Sequence, residues 1–407
     1  ININAQGLTD EQYELLQMPE IREKPVRELT PEQKEALARE KEIKKNRDTA
    51  ISILRGISIR MPLLMYGADL QKNLDGTEEA ITLDNFCNLV DDLSWEEFMP
   101  KGVTKEIFGQ FKKYYDSDVF RESGVKIREM ARAADKLSIE ERIERISAIF
   151  ATFRNPDKET VLTPWRVVNM HLGKSLGGWC FYDKDYNEQI LEPELIKQNE
   201  ITDEVFKKNT HILEINSKSG LYALYCAYSV YRTRAKLELG PNPTREMEKD
   251  LWKRVLVENI FLVCKTEMAK TIAQRTLAGF SDIKVNSHHF EDLVNQLKNK
   301  PENFINKVSK TNYWKKDGNG DMKFDAIVGN PPYQIMATGD ANGSDPIYHL
   351  FIDAACKLGE KVSFIHPARF LFNAGKTPKD WNEKMLNDEH YKIVQYWANS
   401  GDVLDRK

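Results

Sequence analysis

The chain has 407 residues, 41% of them hydrophobic and 30% charged, with a formal net charge of −4. This size suggests two or three domains of ordinary soluble composition, and the charge excludes a surface that is basic all over. Any nucleic-acid contact must then come from a local basic face, or from parts outside this chain. Cysteines stand at 87, 180, 226, 264 and 356 with no CxxC pair, which argues against a disulfide framework or a Cys-rich zinc site and fits a reducing cytoplasm. No run of 18 apolar residues is present, so no transmembrane helix is expected. No signal-peptide pattern follows Ile1, and a start without Met leads us to expect a polypeptide that extends beyond one or both ends.

In chain order, Thr30 reads as an N-cap with Pro31 at the first helical position and Glu32 and Gln33 in the first turn. The alternating charges that come next read as a solvated face. The stretch "ISILRGISIRMPLLMYGADL", apolar and rich in β-branched residues, reads as a strand with a turn near Gly67. Helical periodicity then resumes, broken at Pro100 and Gly102, and residues 124–153 read as one or two amphipathic helices. Residues 1–150 are therefore expected to form a mostly helical region.

From about residue 155 the texture changes. "TVLTPWRVVNMHLG" reads as a turn and a helix, and "THILEINSKSGLYALYCAYSVYRTRAKLE" as a strand, a polar loop and a long helix. "ENIFLVCKTEMAKTIAQRTLAGF" reads as a strand and a helix ending near Gly279, "KFDAIVGNPPY" as a strand and a turn, and "PIYHLFIDAACKLGEKVSFIHPARFLF" as a helix and a strand. Strands alternating with helices predict an α/β fold with a parallel-rich central sheet, covered by helices on both faces. Ligands of such sheets bind beyond the carboxyl ends of the strands, where the polar turns lie.

One turn carries chemistry. Phe324–Val328 is too apolar for a solvent-facing strand, Gly329 permits a sharp bend, and Pro331 and Pro332 fix φ. The turn presents two fixed acceptors, the Asn330 side-chain oxygen and the Pro331 carbonyl, beside the ring of Tyr333. Paired acceptors and a stacking face suit a planar group bearing an amine, such as a nucleobase amine.

The sequence "NPPY" after such a strand resembles motif IV of amino-methyltransferases that use S-adenosylmethionine. Residues from about 160 to 400 resemble the γ-class N6-adenine DNA methyltransferases of the fused restriction–modification type. "VLTPWRVVNM", with Thr163 and Pro164, resembles motif X; "ILEINSKSGLYALY" occupies the place of motif I; the stretch from Ser344 to His390 resembles motif V and the segment after it. The resemblance implies a Rossmann-like methyltransferase domain over residues 151–407, with the target-recognition domain absent or truncated. It implies direct transfer of a methyl group from S-adenosylmethionine to an adenine flipped out of double-stranded DNA, with Asn330, Pro331 and Tyr333 as catalytic residues. It assigns Thr163, Pro164, Glu214, Asn216, Gly220 and Asp292 to the cofactor. Motif I departs from the family pattern, with Lys218 where a small residue is usual. The place of the acidic motif II residue is taken by Lys265 and Thr266, with Glu267 slightly beyond. Residues 1–150 resemble a segment that couples a helicase module to the methyltransferase, which implies helicase and nuclease partners on the same polypeptide. Two other readings stand beside this one: a protein glutamine N5-methyltransferase and a catalytically degenerate DNA-docking domain.

Other residues carry plainer expectations. His288 and His289 are adjacent and would not converge on one metal. His366 is expected at a pocket edge or loop, and Asp325 at a strand end. The tyrosines at 222, 225, 228 and 231 suggest a helix face packed on the sheet with hydroxyls at its rim. "GKTPKDWNEK" suggests a solvated loop.

Overall fold

The computed structural model describes residues 31–153, 162–336, 344–399, 401 and 403. The expected N-cap Thr30 lies outside them. Packing divides the chain into residues 1–52 and 53–407. In the first unit, the leading turns of helix α1 (Pro31–Gly67) carry an exposed ion pair between Arg39 and Glu35.

In the second unit α1 continues through the segment expected as a strand, which is a correction. Ile57, Met61, Leu64 and Met65 are all buried, and their spacing is that of one helix face. That periodicity outweighs the β-branched content and accommodates even Pro62 within the helix. Helices α2 (Asp92–Phe98), α3 (Lys105–Phe111), α4 (Ser117–Ala134) and α5 (Ile139–Thr152) follow. Their starts are capped by Asp91, Thr104, Asp116 and Ser138, the last in a full capping box with Glu141. Pro100 and Gly102 separate α2 from α3, as their sequence predicts.

Helix α6 (Trp165–Ser175) leads into an antiparallel hairpin, β1 (Gly178–Tyr182) and β2 (Gln189–Ile196), for which the sequence reading has no element. Then comes the expected alternation: β3 (Ile212–Ser217), α7 (Leu221–Glu238), α8 (Arg245–Glu258), β4 (Ile260–Cys264), α9 (Glu267–Ala278), β5 (Asn286–His289) and β6 (Phe324–Gly329). Two short strands, β7 (Gln334–Met336) and β8 (Ser344–Pro346), pair antiparallel just beyond β6. Helix α10 (Tyr348–Leu358) and strand β9 (Gly359–Phe364) follow.

Five strands form one parallel sheet in the order β5-β4-β3-β6-β9. The fold is α/β with a Rossmann-like parallel sheet preceded by a helical region. β3 and β4 are buried along their whole length, as central strands of a covered sheet must be. On one face Ile212, Leu262 and Val328 share a core with α7, α9 and the helical region, through Ile57, Phe98, Ala134 and Ile143. On the other, Leu213, Ile215, Phe261, Val263 and Ile327 pack with Phe351 of α10.

The chain runs from β3 outward to β4 and β5, then returns to β6 on the opposite side of β3. The strand order therefore reverses between β3 and β6. In an open parallel sheet the crevice beyond the carboxyl ends of two such strands is the preferred ligand position. No helix among the described residues is long and apolar enough to cross a membrane.

Candidate functional site at the β3–β6 switch point

The two loops at this crevice are those singled out from the sequence. β6 ends at Gly329, whose φ is +153°, and a Cβ there would meet the Ile215 carbonyl oxygen of β3 at 2.9 Å. Glycine thus lets the turn lie against β3 as it leaves the sheet. The turn is anchored on both sides: Ile365 N–H donates to the Gly329 carbonyl at 3.2 Å and Ile347 N–H to the Tyr333 carbonyl at 3.1 Å. Pro331 is buried, while Asn330 and Tyr333 are half-buried.

Asn330 Nδ2 donates to Thr163 Oγ1 at 3.0 Å. Its Oδ1 is buried and has no hydrogen-bond partner. Buried acceptors are rarely left unpaired, and each one left so costs about 1–3 kcal/mol. Thr163 is buried immediately before α6, and Pro164 occupies the N-cap position of that helix. Two residues 167 positions apart in sequence, Asn330 and Thr163, are therefore one hydrogen-bonded unit.

Within β3, three residues before its last residue Ser217 and so not at the strand end expected from the sequence, Glu214 is buried with its carboxylate accepting the Ala223 N–H of α7 at 2.9 Å. Burial pushes its carboxyl up to about 7, against the opposing pull of that N–H and of Ser217. Asn216 adopts φ +56°, and its Nδ2 is a buried donor without a partner. Gly220, at φ +74°, precedes α7; a Cβ there would lie 2.9 Å from Ala273 Cα, so the missing side chain admits close packing of the loop on α9. Glu214, Asn216 and Gly220 thus flank the carboxyl end of β3, next to the Asn330 turn across the β3–β6 pairing.

Asp292 stands apart. It is exposed, accepts from Asn295 Nδ2 at 2.6 Å, and follows β5, three strands from β6. Asp325 lies at the amino end of β6, where it accepts the His211 N–H at 2.8 Å and pairs with Lys207 at 2.5 Å, which is a strand-end role away from Asn330. His366 stacks on Tyr348 and its Nε2 meets Tyr391 Oη at 2.8 Å. His288 stacks on Tyr313, and His289 pairs with Glu267 at 2.6 Å.

Several partners in the site escape the sequence reading. The tyrosine hydroxyls of α7 are not at a rim: Tyr225 donates to the Gly177 carbonyl, Tyr228 to Glu140, and Tyr222 meets His171 Nδ1 at 2.9 Å. The region that would hold motif II lacks an acidic strand-end residue, yet a carboxylate is present there. Glu97 of α2 is buried against Thr266, accepting its hydroxyl proton at 2.5 Å. "GKTPKDWNEK" is half helix (Lys379–Leu386) rather than loop, because buried Trp381 anchors it through Asp353.

Residues 258–403 match the Eco57I restriction-modification methylase family. The methylase-family segment contains β4, β6, the Asn330–Tyr333 turn and β9; Thr163, Glu214 and Gly220 precede it. A stretch of 106 residues is 30% identical to an uncharacterized adenine-specific methylase of Mycoplasma pneumoniae (strain ATCC 29342 / M129 / Subtype 1), covering 25% of this chain and 25% of that protein. The match thus spans about a quarter of the relative's length. Among solved structures, a chain of a type I R-M system is 12% identical with a TM-score of 0.34, covering 73% of this chain and 52% of that one. A chain of the DrdV–DNA complex is 13% identical with a TM-score of 0.32, covering 68% and 26%.

Proposed function

We propose that the chain carries the adenine-N6 DNA methyltransferase part of a restriction–modification enzyme, with its catalytic turn at Asn330–Tyr333. The observation that carries this reading is the divided state of Asn330: its amide nitrogen is engaged by Thr163 and its oxygen is a buried acceptor without a partner. The methylase-family match over this turn supports it.

In this mechanism Asn330 Oδ1 and the Pro331 carbonyl accept the two protons of the adenine N6 amine. The amine is held with its lone pair directed away from both acceptors. Tyr333 stacks on the base, which has been flipped from the duplex. The residues position the nucleophile and stabilise the charge it develops, with no covalent intermediate on the protein. S-adenosylmethionine, when bound, supplies the electrophilic methyl group.

The donor set fits that cofactor at one end. Asn216 Nδ2 is an orphaned donor beside the amino terminus of the long helix α7, a suitable place for the carboxylate of its methionine part. Glu214 would take the amino group, Thr163, Pro164 and Gly220 would shape the floor, and Asp292 would reach the adenine amine of the cofactor. Residues 1–150 would couple this domain at 151–407 to helicase and nuclease modules and to a target-recognition domain elsewhere on a cytoplasmic polypeptide.

The test is transfer of a labelled methyl group to an adenine-containing duplex, beside a glutamine-containing peptide. Transfer to the duplex alone is the expected result. Transfer to the peptide alone would give the chain a different substrate. S-adenosylmethionine binding weaker than about 100 μM, about 5.5 kcal/mol, would favour the docking-domain alternative.

A further inference from the structure

We propose that the chain holds a second ligand site, at the opposite end of the sheet from the Asn330 turn: a cationic cavity that takes the phosphate and ring of a mononucleotide. The cavity has a volume of about 290 Å³. His211, immediately before β3, lines one part of it, and Met322 and Lys323, immediately before β6, line another. The short helix Thr311–Trp314 and the residues Lys315 and Asp321 complete the lining. The site thus lies at the amino ends of the same two strands whose carboxyl ends form the crevice.

The wall of the cavity is held by the backbone. Residues 309–322 leave and return through two closing bonds: Met322 N–H donates to the Ser309 carbonyl at 2.6 Å and Thr311 N–H to the Gly320 carbonyl at 3.1 Å. Gly320, at φ +85°, permits the return. The Trp314 ring is fixed as well. Its Nε1 donates to the Val308 carbonyl at 2.8 Å, and it meets the rings of Phe261 and Phe324 edge-on. Trp314 and Met322 are each only 9% exposed and give the cavity its apolar surface.

The charge around it is positive. Segments 207–211 and 309–325 carry six lysines against three aspartates, in a chain whose net charge is −4. Two of those aspartates are already engaged, Asp325 by Lys207 and Asp321 by Lys310, each at 2.5 Å. Asp321, the carboxylate in the lining, therefore does not cancel the lysines there. Lys323 has a looser and exposed partner, Glu360 at 3.5 Å. Lys315, Lys323, the Thr311 hydroxyl and the His211 ring converge on the cavity as donors. The excess is felt locally: burial holds His211 below the ordinary imidazole range, Asp325 opposes this, and Lys315 and Lys207 reinforce it. A cavity of this size, about the lower limit for ligand pockets, suits one small ring-bearing molecule. A phosphate monoester offers the ammonium groups a compact dianion with several acceptor oxygens, and a nucleoside offers Trp314 and Met322 a flat body.

The test is calorimetry on the full chain at low salt, with deoxyadenosine monophosphate, deoxyadenosine and inorganic phosphate as probes. Wild type is compared with a Lys315→Ala, Lys323→Ala double variant and with Asn330→Ala. The mononucleotide should bind wild type with a Kd below about 1 mM, and the other two probes at least about tenfold more weakly. The double variant, altered at two exposed side chains, should bind the mononucleotide at least about tenfold more weakly than wild type. Asn330→Ala should stay within about twofold, because its turn lies at the other end of the strands. In nuclear magnetic resonance spectra, the His211 ring signal, identified by its loss in His211→Gln, should move with the mononucleotide in wild type and not in the double variant. Should His211→Gln fail to fold, the calorimetry decides alone. Equal affinity for inorganic phosphate would leave an adventitious anion site and overturn the proposal. Undiminished binding by the double variant would overturn it too, and so would loss of binding in Asn330→Ala, which would put the mononucleotide in the catalytic turn. A 5′-phosphorylated oligonucleotide that bound more tightly through the same two lysines would overturn the mononucleotide as occupant in favour of a strand end. None of these readouts involves methyl transfer, so the outcome is independent of the methyltransferase reading.

Discussion

The hydroxyl of Thr266 donates to the carboxylate of Glu97 at 2.5 Å, and both residues are buried. The bond joins the start of α9, at the carboxyl end of β4, to helix α2 of the amino-terminal helical region. Beside it, the Met268 N–H donates to Ser94 Oγ at 3.1 Å. The helical region is therefore attached to the sheet at the strand ends, where ligand loops gather. Replacing Glu97 with Ala strands the Thr266 hydroxyl in a water-poor place. We expect a loss of about 1–3 kcal/mol in chemical denaturation, an unpaired buried donor being the cause. A variant as stable as wild type would show that this bond is not part of the attachment.

A second attachment runs through Arg142 of α5. Its guanidinium donates to Asp135 and to the carbonyls of Arg275 and Thr276 at the end of α9, each at 2.9 Å. The Thr276 carbonyl is among those a helix terminus leaves without an internal partner, while the Arg275 carbonyl also accepts the Gly279 N–H at 2.9 Å. Asp135 meanwhile accepts the Phe280 N–H at 2.9 Å. Arg142→Met would keep much of the packing and remove all three donations. Loss of a largely buried charge that serves several acceptors should cost about 3 kcal/mol, read from the denaturation midpoint at constant slope.

Glu214 gives stability a pH dependence of known sign. Its folded-state carboxyl is raised to about 7 by burial, above the ordinary value near 4.5. The folded protein therefore binds the proton more tightly than the unfolded chain. The resulting stability is fully present below about pH 4.5 and is lost as the pH rises through about 7. Glu214→Gln cannot ionise. Its stability relative to wild type should increase by about 3 kcal/mol between pH 4.5 and pH 8, measured as the difference between the two denaturation curves. A difference independent of pH would mean that Glu214 is already ionised when folded.

Much of the fold is legible in the sequence because periodicity and burial agree in its central strands. β3, β4 and β6 are short apolar runs closed by polar turns, and that pattern alone places each of them. The segment at 51–70 misleads because Ile51, Ile53, Ile57 and Ile59 suggest a strand, whereas the buried set Ile57, Met61, Leu64 and Met65 has helical spacing. Asn330, Thr163 and Glu214 are visible as motif residues. The bond between Asn330 and Thr163 is not, because the two residues stand 167 positions apart and no local pattern marks a long-range hydrogen bond. One signal is available: His171 and Ser175 stand about one helical turn apart, which sets them on one side of α6. Glu97 cannot be found this way, since it fills its place from another part of the chain.

The central claim is that Asn330 holds an amine for methyl transfer. Its most direct measurement is the transfer of labelled methyl from S-adenosylmethionine to adenine N6 in duplex DNA, by wild type and by Asn330→Ala, with cofactor affinity measured alongside. The account expects wild-type transfer, a fall of at least about 10³-fold in the variant, and a cofactor Kd changed by no more than a few-fold. Equal turnover by the two proteins would contradict it.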